Sequence, residues 1–215
     1  MTKAFTEAEF SAQLDGDRSW RIKEISDLKS AAIKADTGLR RVLLRSAITI
    51  CYAHWEGHVR FAARKYFEYL ALRKFQYKAL DRQFLRNYFL PQLAALSKSK
   101  PSIEQRCDLV DEILNSSERR FSRMNEDLVN TKANLNFEVL SDICIVCNVP
   151  TTYFEDKATF IDLFLLRRRN SVAHGEELFL EIGDLDELTT ETVSLMRTFG
   201  NAIENHIYLR TYRSA

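Results

Sequence analysis

Between Leu39 and Lys74, apolar residues return every three or four positions: Leu44, Ile48, Cys51, Trp55, Val59, Ala62, Tyr66 and Leu70. That step is the stripe of an amphipathic helix facing a core. The other face of this helix carries Arg41, Arg45, Arg60, Arg64 and Lys65. The same reading predicts a helix over roughly 6–34, interrupted near Asp15-Gly16-Asp17, and a break at Asp36-Thr37-Gly38. A third helix is expected over about 78–96, kinked at Pro91, because a helix-interior proline removes one ladder bond. Ser97-Lys98-Ser99-Lys100-Pro101 stops it, and Ser102 restarts a helix that runs to about Asn115. From Ser116 to Asn136 the composition turns polar, which predicts a long, partly mobile insertion. A short apolar helix follows over 137–147. Asp156 is placed to cap a helix over 157–174, with Gly175 as its left-handed terminator. The last helix is expected to start near Asp184 or Asp186 and to end near Arg210.

Composition sharpens this picture. Six glycines and three prolines leave little material for the many tight turns of an all-β fold. The expected fold is all-α, an up-and-down helical bundle with an additional, partly polar insertion, forming one domain over 1–215. Lys and Arg number 31 against 30 Asp and Glu, so any contact with nucleic acid must come from local basic patches rather than bulk charge. No apolar stretch approaches ~20 residues, so no membrane span is expected. The first residues lack an apolar run, and the expected compartment is the cytoplasm. Cys144-Ile-Val-Cys147 has CxxC spacing but no second pair and apolar flanks, which favours buried thiols over a metal or redox site.

The stretch that carries chemistry is Leu165-Leu166-Arg167-Arg168-Arg169-Asn170-Ser171-Val172-Ala173-His174-Gly175-Glu176, directly after the apolar run Phe160–Phe164. An arginine next to so many buried neighbours must be paired or functional, since burying a charge is costly. On a helix, Asn170 and His174 stand about 40° apart and one turn apart, while the long side chain of Arg169 sweeps a wide arc. The trio suits phosphodiester cleavage in RNA without a metal. The 2′-hydroxyl is a built-in nucleophile, so a proton shuttle and a phosphate clamp suffice. Histidine titrates near neutrality, and arginine offers planar, permanently charged donors to phosphate. By residue type alone, a salt bridge for Arg169, a surface place for Asn170 and a helix-end role for His174 remain open.

Arg169-Asn170-Ser171-Val172-Ala173-His174-Gly175 resembles the signature of the HEPN superfamily: an arginine, four to six residues, then histidine, often with asparagine after the arginine. Cys51-Tyr52-Ala53-His54-Trp55-Glu56-Gly57-His58-Val59 is similar to a helix of stand-alone bacterial HEPN proteins, including the RiboL-PSP-associated group. The resemblance implies a helical bundle that dimerises with the Arg/His helices facing across a cleft. It also implies a metal-independent endoribonuclease leaving 2′,3′-cyclic phosphate ends, acting as a toxin or in phage defence. On that basis Arg169 and His174 take the catalytic positions and Asn170 the polar one beside them. Glu56 either orients them or braces the helices. Arg167, Arg168 and Ser171 flank the scissile position as substrate contacts. Neither a metal nor a cofactor is expected; RNA, a second copy and an antitoxin or defence-system protein are the expected partners. Some relatives carry a tyrosine two residues after the histidine as a modification site; here that position is Glu176. The rival reading is a catalytically inert HEPN module that binds RNA, a nucleotide or a protein through the same cleft.

Two other patterns are set aside. His54 and His58 share a helical face, but Glu56 between them lies about 160° from each, so the zincin arrangement is absent. Arg119-Arg120-Phe121 with Arg123 offers charge and an aromatic ring to RNA, against the plainer reading of a solvated loop. The acidic residues Glu176, Glu177, Glu181, Asp184, Asp186 and Glu187 are expected to cap the last helix and offset the arginines.

Overall fold

The computed structural model describes residues 5–177 and 179–214. It is an all-α bundle built around one long central helix. Helix α1 (Glu7–Lys34) opens on a capping box in which Thr6 and Glu9 satisfy each other's backbone. Helix α2 (Thr37–Arg73) is capped by Asp36, and α1 and α7 (Ile182–Tyr208) both pack along it. Helix α3 (Arg82–Lys98) meets the far half of α2 through Phe84 on Tyr66 and Phe67, α4 (Ile103–Asn115) is tied to α3 by Tyr88 and Glu112, and α5 (Phe137–Cys147) packs on both α3 and α2. The short α6 (Arg168–Ala173) packs against α2 after a π-helix, Phe160–Arg167. No helix among the described residues is long and apolar enough to cross a membrane.

Each residue of the His54–His58 segment has a separate structural task. Trp55 is fully buried against Phe154, which in turn contacts Phe199 of α7. The histidines enter a polar network with α1. Arg21 grips Asp17 through two 2.9 Å bonds, and His58 Nδ1 lies 2.8 Å from the same carboxylate. His54 Nε2 is 2.7 Å from Glu24, and the His54 ring stands edge-on to Trp20. Gly57 leaves room for this network. A Cβ there would sit 2.6 Å from Arg21 Nη1, which is held in place by Asp17. Both histidines therefore serve the packing of α1 on α2.

Several boundaries differ from those expected. Helix α1 runs unbroken through Asp15-Gly16-Asp17, because Asp17 is buried and bonded rather than a turn residue. The third helix starts at Arg82, after a single 3-10 turn at Tyr77–Ala79, because Asp81 caps it. Helix α7 begins at Ile182 with Glu181 and Asp184 as its capping box, slightly earlier than expected. No side chain caps the segment around Asp156, which enters through 3-10 turns.

The largest departure is the polar stretch 116–136. It is a strap packed along α2, with Phe121, Val129, Thr131 and Leu135 buried. Phe121 N–H bonds the Phe75 carbonyl, Thr131 donates to Glu56, and Leu135 N–H bonds the Tyr52 hydroxyl at 2.6 Å. Phe121 is therefore core and offers no ring to RNA. Cys144 and Cys147 are buried, as their apolar flanks suggest, and burial pushes the Cys144 thiol up to about 12.

The buried histidines set an acid limit on stability. Burial pulls both His54 and His206 below their ordinary 6.5, against weaker opposing pulls from Glu24 and Asp81. The unfolded chain then binds more protons below about pH 6.5, so stability falls as pH drops. Each histidine steepens that fall by up to about 1.4 kcal/mol per pH unit. Asp17 acts in the same direction at lower pH. Burial raises its carboxyl, but the bonds from His58 and Arg21 together outweigh this and hold it below 3.8. Urea unfolding is expected to give a clearly lower midpoint at pH 5 than at pH 7.5; equal midpoints would contradict the burial argument.

Candidate functional site

The segment leading into α6 changes helical period. Phe160 and Leu165 are both buried, and Ile161 and Leu166 follow on the same inner side. Positions five apart share no face of an α-helix, but they do in a π-helix with i to i+5 bonding. The π-turns thus keep the apolar residues on the core and deliver Arg168 at the start of α6. Asp162, inside the same stretch, accepts the Phe137 N–H at 2.7 Å and ties it to α5.

Arg169 is half-buried. Its guanidinium lies 4.1 Å from the centre of the Tyr52 ring and donates from Nη2 to the Ala133 carbonyl at 2.5 Å. Tyr52, whose hydroxyl also takes the Leu135 N–H, has its phenol pushed up by burial. The Ala133 carbonyl is presented by a tight turn. Lys132 and Ala133 have φ of 53° and 56°, and Asn134 N–H closes the turn onto the Thr131 carbonyl at 3.0 Å. Two consecutive left-handed residues with that closure form a type I′ turn, normally built from Asn and Gly. Non-glycine residues in this region are sparse, and their strain concentrates at functional sites.

His174 is the C-cap residue of α6. Its N–H bonds the Asn170 carbonyl at 2.9 Å, while its ring is exposed and makes no hydrogen bond among the described residues. Gly175 has φ +75°, and its N–H bonds the Val172 carbonyl, while Glu176 N–H reaches Ser171. This is a Schellman ending, with Gly175 in the place foreseen for it. Two arginines of α2 hold the chain beyond: Arg45 Nη1 bonds the Glu176 carbonyl at 2.8 Å, and Arg41 pairs with Glu177 at 2.7 Å.

The other foreseen residues scatter more. Asn170 and Ser171 are half-buried, and their carbonyls serve the helix end. Arg167 is exposed, while Arg168 lies 4.4 Å over Phe164 and 3.9 Å from Asp184. Glu56 takes the Thr131 hydroxyl, two residues before the carbonyl that meets Arg169. Tyr52 and Ala133 were not foreseen as neighbours of Arg169. Among the described residues no group of three His, Cys, Asp or Glu is arranged to hold a metal ion.

Arg169, Asn170 and His174 thus stand at the end of a short helix laid on the long helix that bears His-Trp-Glu-Gly-His. The RiboL-PSP-HEPN family model matches residues 17–205, and the chain belongs to that family. Comparison with curated proteins and with solved structures gives no match. The matched span takes in both the α2 segment and the whole of α6.

Proposed function

We propose that this protein is a metal-independent endoribonuclease acting as a homodimer, in a toxin or phage-defence role. The observation that carries the reading is the exposed His174 ring at the C-terminal end of the helix that also holds Arg169. Imidazole is the commonest side-chain proton shuttle, and an exposed ring can reach a bound strand. Arg169 is backed by Tyr52, and a guanidinium carries five N–H donors, of which the Ala133 carbonyl takes one.

The chemistry is a transfer within RNA. The 2′-oxygen bonds to phosphorus as its proton passes to a base, the role this reading gives to His174 of the second copy. The phosphorus–O5′ bond breaks, and the leaving oxygen takes a proton from His174. The products are a 2′,3′-cyclic phosphate and a 5′-hydroxyl, and the arginines offset the charge gathering on the phosphorane. Support for pairing of two copies comes from the surface beside α6. A groove of about 410 Å³ runs between α2 and Val172, next to Val42, which is 58% exposed, and Leu39 at 53%.

The engagement of Arg169 by a backbone carbonyl is what favours the inert-module alternative, since a bracing arginine would look the same. The deciding measurement is incubation of total RNA with the full chain in EDTA. New ends carrying 2′,3′-cyclic phosphate are expected, with no cutting where the 2′-hydroxyl is replaced by hydrogen. Cutting of the deoxy substrate, or no cutting of any RNA, would count against the nuclease.

A further inference from the structure

The basic face of α2 continues away from Arg169 as a row of residues four apart: Tyr52, Glu56, Arg60 and Arg64. Such i, i+4 positions form a ridge along a helix. The strap follows the same ridge in the opposite direction. Glu126 pairs with Arg64 at 2.8 Å, Thr131 donates to Glu56, Ala133 accepts from Arg169, and Leu135 bonds Tyr52. The strap therefore lies on this ridge from Arg64 to Tyr52, where Arg169 meets both.

Beside the far end of this ridge, at Arg60 and Arg64, lies a groove of about 640 Å³. Five cations line it (Arg21, Arg60, Arg64, Lys65 and Arg123) against two carboxylates, Glu68 and Glu126, although the whole chain carries only +1. Three of those cations are committed: Arg21 to Asp17, Lys65 to Glu68 and Arg64 to Glu126. Arg60 and Arg123 are exposed and make no ion pair or hydrogen bond among the described residues. Phe61 is half-buried on the same wall, with Lys65 Nζ 5.9 Å from its ring centre. Free cations beside an aromatic ring in an open groove are how single strands are held without sequence choice.

We infer that this groove is a binding track for single-stranded RNA, gripping phosphates with Arg60 and Arg123 some distance from the scissile bond. The rise of α2 puts Arg60 about 12 Å and Arg64 about 18 Å along the helix from Tyr52, so the track holds nucleotides beyond the one being cut. The inference rests on the nuclease reading for its ligand, but its test does not require cleavage.

The test is binding of a fluorescent, 2′-O-methylated RNA of ~12 nucleotides, measured by anisotropy over a series of salt concentrations. Each phosphate contact on a single strand contributes about 0.7 to the slope of log affinity against log salt. The double variant Arg60→Ser/Arg123→Ser is expected to lower the slope by about 1.4. A charge-matched control, Lys98→Ser/Lys100→Ser at the exposed C-terminal end of α3, is expected to leave it unchanged. Glu126→Gln releases Arg64 and is expected to tighten binding severalfold at low salt, a gain that misfolding cannot produce. An unchanged slope in the Arg60/Arg123 variant overturns the track. So does a mononucleotide that binds as tightly as the 12-mer, which would make the groove a nucleotide pocket. Failure to cut RNA, with these slopes as stated, would overturn the nuclease and leave the track standing.

Discussion

Changing His174 to alanine is expected to slow RNA cleavage about 10²- to 10⁴-fold, the usual contribution of a positioned proton donor, while leaving thermal unfolding almost untouched. The two halves of that expectation have one cause. The ring is exposed and unbonded, and the hydrogen bond that His174 gives to α6 runs from its backbone, which alanine keeps. Arg169 makes a useful contrast. It stacks on Tyr52 and bonds Ala133, so its removal disturbs both packing and rate. Arg169→Lys keeps the charge but loses the planar fork, and is expected to fall between the wild type and Arg169→Ala in rate. A folded His174→Ala protein that cuts RNA at the wild-type rate would remove the histidine from the mechanism.

Asp17→Ala is expected to cost about 3–5 kcal/mol, out of a total that for most domains is only ~5–15 kcal/mol. The Asp17 side chain is 7% exposed, Arg21 is 11% exposed, and His58 is fully buried behind them. Removing the carboxylate leaves a guanidinium without its counter-charge and His58 Nδ1 without its partner. Neighbouring Asp15 provides the control. It pairs with Arg18 but is 56% exposed, so Asp15→Ala is expected to cost under ~1 kcal/mol. Urea unfolding of the two variants separates buried from solvated pairing. Equal costs would show that the α1–α2 network does not hold the helices together.

Periodicity was enough to find the central helix, because α2 buries a continuous stripe and nothing in it competes with the 3.6-residue repeat. It failed where tertiary bonding overrides local preference. Asp15-Gly16-Asp17 reads as a turn by composition, yet Asp17 is drawn inward by Arg21 and His58 and the helix continues. The strap has no period at all. Its anchors Phe121, Val129 and Leu135 are spaced irregularly among polar residues, so only their partners on α2 reveal that the segment is packed. The π-turns before α6 were equally hidden, since a run of apolar residues fits either period.

The candidate site was partly legible for the same physical reason. Arg169, Asn170 and His174 belong to one helix end, and their spacing survives because α6 and its cap are regular. Tyr52 stood inside a segment singled out for other residues, and its contact with Arg169 crosses more than a hundred positions in the chain. The polar stretch 116–136 supplies the remaining neighbour through a main-chain oxygen, which leaves no trace in residue type.

That last point has a consequence for how this protein tolerates change. What Arg169 leans on is the shape of the backbone at 132 and 133, not any chemical group those residues carry. Asparagine or glycine at either place should be accepted freely, whereas valine, isoleucine or proline, which resist a left-handed backbone, would swing the oxygen away. A survey of tolerated replacements would thus find side-chain size and charge permitted to drift at 132 and 133 while backbone handedness is conserved, a site visible through dihedral preference where identity is silent.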